Sequence, residues 1–286
     1  MARLIAFLVG LGFVLVLLVS LITGASAFIA EGKPETAEHA FHRHPKHVEI
    51  SGESVFSTFN RAQLQRGFQV YKEVCAGCHG LKYVAFRNLA DLGYSEAEVK
   101  AIADQWAVQS PSINPDTGEA ATRKNLPSDR FPSPYANEVA ARAANNNANP
   151  PDLSLITKAR HDGPAYVYSL LTGYQSQQPA ELLKRFPEVK TGQGLYYNPY
   201  FPNLNIAMPP PLVSDGQVTY ADGTKATVDQ MAQDISAFLT WTAEPNLERR
   251  HQTGIAVLIF LLVFTTLAYL SYQNIWASKK GAQAVG

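Results

Sequence analysis

An all-α, loop-rich globule carried by one carboxyl-terminal membrane helix is the fold class this sequence predicts, on three observations. Its longest apolar runs lie near the two ends, at residues 4–22 and 254–272. Between them the chain is polar, rich in proline and tyrosine, and marked by several stretches with apolar residues at three-to-four spacing but no βαβ alternation. The only two cysteines of the 286 residues stand together in Cys75-Ala76-Gly77-Cys78-His79.

That pentapeptide organises the rest. Two thiols separated by two residues can each add to one vinyl group of a haem, and the side chain that follows then lies under the iron. Cys75 and Cys78 are thus read as thioether anchors and His79 as an axial ligand, giving one covalent haem c. A structural zinc site would want two more ligands at close spacing, and none follows. A thioredoxin-like site would sit between a strand and a helix of a βαβ unit, a pattern missing here.

Charge and the chain ends set the compartment. With 24 Lys and Arg against 24 Asp and Glu, the chain has no basic excess for a nucleic-acid partner. Arg3, the apolar run and Ala25-Ser26-Ala27 make a secretory signal at residues 1–27, with retention as a second anchor the alternative. A mitochondrial transit peptide would be arginine-rich and amphipathic, and this segment is neither. Residues 254–272 carry no charge and as a helix would span roughly 28 Å at about 1.5 Å per residue, matching a bilayer core. Positive residues flank both ends, so charge alone does not orient this span. Haem attachment on the outer face does, which predicts a single-pass protein of a bacterial inner membrane with a periplasmic domain at 28–252, an anchor at 253–274 and a cytoplasmic tail at 275–286.

In chain order, residues 31–47 are polar and carry His39, His42, His44 and His47, a surface-wrapping segment whose histidines could alternatively bind a metal. Residues 60–75 read as a helix with Leu64, Gly67, Phe68, Tyr71, Val74 and Cys75 near one face. Gly67 would allow close approach of another backbone or of the ring. Ser95 and Glu98 form a capping box for a helix reaching Trp106, itself a core residue. Residues 110–135 read as an irregular excursion. A short helix at 137–144 precedes an asparagine- and proline-rich loop at 145–152, placed near the cofactor. Residues 152–172 read as one helix carrying Arg160, His161 and Tyr166. Arg160 and a tyrosine, Tyr166 or Tyr168, could bond the haem propionates; as an ordinary surface charge and a core aromatic they would do nothing special. Thr227 and Gln230 suggest a second capping box, for a helix ended by Pro245.

The sixth ligand follows from scarcity. Of three methionines, Met1 is in the signal and Met231 falls on the apolar face of the helix after Thr227. Met208 stands before Pro209-Pro210-Pro211, a stiff strap that presents it rather than packs it. Met208 is read as the distal ligand, with His161 or an amino-terminal histidine as the fallback; a thioether there raises the reduction potential.

Arg66-Gly67-Phe68-Gln69-Val70-Tyr71, Pro150-Pro151-Asp152-Leu153-Ser154, Ala159-Arg160-His161, Ser169-Leu170-Leu171-Thr172-Gly173-Tyr174, Tyr197-Asn198-Pro199-Tyr200-Phe201 and Trp241-Thr242-Ala243-Glu244-Pro245 together resemble the cytochrome c1 family, from about residue 60 to the carboxyl end. The resemblance implies the haem subunit of a cytochrome bc1 complex, in a dimeric assembly with cytochrome b. It implies an electron taken from the Rieske iron-sulfur protein and passed to a soluble or membrane-tethered cytochrome c, with no substrate bond made or broken by this chain. By the same resemblance Cys75, Cys78 and His79 are the attachment site, Met208 the second metal ligand, and Arg160 and Tyr166 the propionate partners. Two departures stand out. No cysteine is left for the disulfide that braces the methionine strap in some relatives, and the acidic residues that dock a basic cytochrome c in some relatives are thin across 107–124.

Overall fold

The computed structural model describes residues 2–31, 35–51 and 58–283. Helix α1 (Ala2–Glu31) is apolar and exposed along its length. Past it, the short α2 (Ala37–Phe41), capped by the Thr36 hydroxyl on His39 N at 3.2 Å, begins a strap over the globule. Lys46 seals that strap. Its ammonium lies over the rings of Tyr168 and Tyr200, 5.7 and 5.5 Å from their centroids, and bonds Thr172 Oγ1 at 2.8 Å. The segment expected only to wrap the surface therefore contains a helical turn and a partly buried cation.

Helix α3 (Arg61–Val70) starts where Asn60 Oδ1 accepts from Gln63 N, and passes into a π turn at Tyr71–Cys75. A π turn closes its bond one residue later, as Ala76 N to Tyr71 O does at 2.8 Å. Everything after it is rotated by roughly 100° against the α-helical phase. Leu64, Gly67, Phe68 and Tyr71 are accordingly buried, while Val74 and Cys75, expected on the same face, are only half-buried. After a 3₁₀ turn at Phe86–Leu92 comes α4 (Glu96–Asp104), with both bonds of the Ser95–Glu98 capping box in place.

The excursion at 110–135 is more regular than its composition suggests. Strands β1 (Ser110–Ile113) and β2 (Ala120–Arg123) pair antiparallel around a turn closed by Gly118 at φ +74°. Asp129 pins the hairpin by accepting from Arg123 Nη2 at 2.9 Å and Leu126 N at 2.9 Å. Four-residue strands of Ser, Pro, Ala and Thr carry too little alternation to announce themselves.

Helix α5 (Glu138–Ala144) leads to the predicted loop. The single helix expected over 152–172 is two, α6 (Ile156–Ala159) and α7 (Gly163–Leu171). The break lies where Arg160 is extended, Asp162 has φ +60° and Gly163 has φ +41°. Pro164 lacks an N–H and disfavours helix in the residue before it, so a helix can begin there but not run through. A Cβ on Gly163 would come within 2.8 Å of Thr157 O.

Helix α8 (Ala180–Arg185), absent from the sequence reading, precedes the two-residue strands β3 (Tyr196–Tyr197) and β4 (Asn205–Ile206). Helix α9 (Val228–Ala243) is the axis of the core. It crosses α3 at Gly67, where a Cβ would lie 2.1 Å from Asp234 O, so the approach that glycine permits is to a backbone. The crossing is locked by Arg66, which bonds buried Asp234 through Nε at 2.9 Å and Nη2 at 3.1 Å. Gln230 was expected to turn back and box Thr227; its Nε2 instead donates forward to Asp234 Oδ1 at 2.9 Å, because that buried carboxylate needs every donor in reach. Phe68, Tyr71, Phe86, Trp106, Phe131 and Phe238 pack around the crossing, and Trp106 is core as predicted.

Helix α10 (Leu247–Gln283) begins just after Pro245, ahead of the apolar run. Its root is clamped to the globule. Glu248 Oε1 accepts from Phe59 N at 2.6 Å, and Glu244 pairs with Arg250 at 2.6 Å and with Lys158. The stretch Leu247–Ala277 is long and apolar enough to cross a bilayer, and beyond the clamp its apolar side chains are almost all exposed.

Candidate haem site

Two groups of side chains stand out, each drawn from residues far apart in sequence. The first surrounds the cysteine pair. Tyr71, buried beneath it, donates its hydroxyl to His79 O at 2.9 Å and so fixes the turn that follows the π bulge. Cys78 N and His79 N both bond Cys75 O, at 3.1 and 2.9 Å, so the pentapeptide is one tight turn. The loop at 145–152 returns here: Leu153 N bonds Gly80 O at 2.9 Å, and Asp152 Oδ2 accepts from Lys82 N at 2.8 Å. A cavity of about 300 Å³ adjoins Cys78, walled by Phe131, Pro134, Tyr135, Pro150 and Asp152.

His79 carries the informative contact. Its Nδ1 lies 2.7 Å from Pro151 O. A carbonyl only accepts, so Nδ1 holds the ring proton and Nε2 is the bare lone pair. Burial holds the imidazole pKa below its usual value, which favours this neutral form. Nε2 has no hydrogen-bond partner among the described residues. An imidazole oriented through one nitrogen with the other free is what a metal ligand requires.

The thiols are unpaired with each other. Withdrawal of the Cys75 sulfur from water pushes its thiol up to about 12, with the neighbouring Cys78 adding to it. A thiol–disulfide exchange site works through a thiolate made accessible by a lowered pKa. Cys75 is therefore poorly suited to redox exchange. Among the described residues no three His, Cys, Asp or Glu side chains converge on a point, so the Cys75–Cys78 pair lacks the further ligands of a zinc centre.

The second group assembles the other expected residues. The break between α6 and α7 places Arg160 near Tyr166, where its positive charge partly offsets the upward push of burial on that phenol. Tyr166 in turn faces Tyr174, whose hydroxyl donates to Met208 O at 3.0 Å. Arg160, Tyr166 and Met208 thus lie around Tyr174, which bonds only the last of them and is a residue the sequence reading quoted but gave no role. His161, the fallback ligand, turns outward with its side chain 98% exposed beside Asp162. His39, His44 and His47 are exposed, and His42 Nε2 lies 3.3 Å from Tyr200 O.

A neutral imidazole with a free nitrogen, two thiols in the same turn, and a guanidinium–phenol pair beside a half-buried methionine fit a covalently held haem. A family model described as the Cytochrome C1 family matches residues 50–279. The chain belongs to the cytochrome c1 family.

Individual relatives agree. The chain is similar to cytochrome c1 of Rhodospirillum rubrum, 47% identical over 238 residues that cover 80% of this chain and 86% of that one. It is similar to "Cytochrome c1 1, heme protein, mitochondrial" of Arabidopsis thaliana, 43% identical over 92% of this chain and 82% of that protein. It also matches the protein named cytochrome b/c1 of Bradyrhizobium diazoefficiens, 49% identical over 78% of this chain but only 34% of that longer protein. The family match spans residues 50–279, and so both groups of site residues.

Proposed function

We propose that this chain is the haem-carrying electron-transfer subunit of a cytochrome bc1 complex, assembled with cytochrome b. It accepts electrons from a Rieske iron-sulfur protein and delivers them to a cytochrome c. The observation that carries this reading is the His79 Nδ1 contact to Pro151 O beside the cysteine pair, which leaves a single ring nitrogen free for iron. When bound, one haem c supplies a reversible one-electron couple.

The chain's own residues do the rest. Cys75 and Cys78 would hold the porphyrin through thioethers, and His79 Nε2 and Met208 Sδ would bind its iron. Pro151 O keeps the imidazole correctly turned, and burial favours its neutral form. Arg160 and Tyr166 would donate to the propionates, which holds negative charge at the edge of an otherwise apolar site. Residues 1–27 act as an export signal, the domain at 28–252 faces the periplasm, 253–274 crosses the inner membrane once, and 275–286 lies in the cytoplasm. The clamp of Glu244 and Glu248 on the globule keeps that domain close to the bilayer.

The test is a reduced-minus-oxidised spectrum with a redox titration of the purified membrane complex. A c-type haem that is low-spin, unaffected by cyanide and co-purifying with a quinol-oxidising cytochrome b supports the reading. A high-spin, cyanide-binding centre points to a haem enzyme with an open sixth position and overturns it.

A further inference from the structure

The Met208 strap poses a mechanical problem. Pro209, Pro210 and Pro211 have no N–H, and the ladder of β4 ends at Ile206. Among the described residues, no backbone–backbone hydrogen bond holds positions 207–213. The chain also has no cysteine left to brace the strap with a disulfide. Prolines make the segment stiff along its length, but stiffness alone does not fix where it sits.

Two side chains supply the missing bonds. Ahead of the prolines, Tyr174 Oη donates to Met208 O at 3.0 Å. Behind them, the Gln217 carboxamide bonds twice, donating from Nε2 to Pro211 O at 2.8 Å and accepting at Oε1 from Val213 N at 2.9 Å. Tyr174 is itself fixed. It follows Gly173, the last turn beyond α7, whose missing side chain admits the Tyr200 ring: a Cβ there would lie 2.4 Å from Tyr200 Cδ2. Asn198, beside that ring, bonds Leu170 O at 2.8 Å. The clasp therefore runs from the rigid end of α7 to the backbone of the methionine.

We propose that Tyr174 and Gln217 are positioning residues that grip the proline strap from both ends and hold Met208 in place as the distal ligand. The proposal rests on the reading of Met208 as that ligand. Neither residue touches iron; each acts by limiting the excursions of the strap. Losing a clasp should raise the population of strap conformations with the methionine withdrawn, and an exogenous ligand should then compete more successfully for the sixth position.

The experiment titrates imidazole into the ferric haem-loaded complex and follows loss of the near-infrared methionine–iron charge-transfer band, alongside a redox titration. Tyr174→Phe keeps the ring and removes the hydroxyl. It should tighten apparent imidazole binding about fivefold, the effect of one net hydrogen bond. Gln217→Ala, at an exposed side chain, should tighten it about two- to threefold, and the double variant should approach the product of the two if the clasps are independent. Unchanged imidazole affinity in both single variants overturns the proposal; if Tyr174→Phe fails to accumulate as haem-loaded chain, Gln217→Ala decides alone. Met208→Leu separates this from the underlying reading. If that variant keeps the band and the potential, the ligand assignment falls; if it loses both while the clasp variants behave as wild type, only the clasp falls.

Discussion

The two sides of the site are held by opposite means. The cysteine–histidine side is delivered by regular structure: α3, a π turn and a closed backbone turn, finished by a backbone carbonyl on His79 Nδ1. The methionine side is a proline segment held by side chains from elsewhere, Tyr174 and Gln217. The first is fixed wherever the core is fixed, because α3 is locked into α9 at Gly67. The second can loosen while the core stays folded. Attachment and tuning of the haem are thereby separable, and each can be broken alone.

Four substitutions or conditions sharpen that contrast, taken from the largest effect down. Met208→Leu should leave the haem attached but lower its potential by hundreds of millivolts, within the roughly 0.8 V range that axial ligands control; redox titration reads it. A potential that does not move would place the distal ligand elsewhere. Asp234→Ala strikes the other side, leaving Arg66 at the α3–α9 crossing with only the more exposed Asp222. It should cost about 3 kcal/mol or more, the usual penalty for breaking a buried pair, seen as a lower denaturant midpoint with haem signal and fold lost together.

Lys46→Ala removes the cation between Tyr168 and Tyr200 and its bond to Thr172. A loss of about 1–2 kcal/mol is expected, and limited proteolysis should then cut the amino-terminal strap before the core opens. Acid has the smallest effect. The Asp129 carboxyl is held down to about 2 by its bond to Arg123, and that of Asp222 to about 2 by Thr224 N and then Arg66. A depressed folded pKa contributes stability above the unfolded value of about 3.9, and that contribution fades as pH falls toward 2. Melting temperature should stay level from neutral pH down to about 5 and drop between about 4 and 2. Asp129→Asn should flatten part of that drop, and an identical pH profile in this variant would deny the pair its role.

How far the sequence could be read follows the same division. Local rules recovered the helix start near Asn60, the Ser95 cap, the core position of Trp106 and the stop at Pro245, because each signal lies within a few residues of its effect. The cysteine–histidine turn was legible for the same reason. The π turn was not, since one added residue leaves no mark in composition and merely shifts the phase of Val74 and Cys75. The break at Asp162-Gly163-Pro164 was a turn signal overridden by the apolar period on either side of it. Thr227 capped as expected, but Gln230 was drawn away by Asp234, a tertiary demand no local rule contains. The Pro151 carbonyl on His79 and the Tyr174 clasp reach backbone acceptors 72 and 34 positions away, and backbone acceptors have no letter in the sequence.

The central claim is that the lone cysteine pair is a covalent haem fixture. Mass spectrometry of the isolated polypeptide, after treatment with a thiol-alkylating reagent, tests it most directly. The expected result is a single species heavier by one haem, with neither Cys75 nor Cys78 alkylated. A polypeptide of unmodified mass whose two thiols both take up the reagent would contradict it.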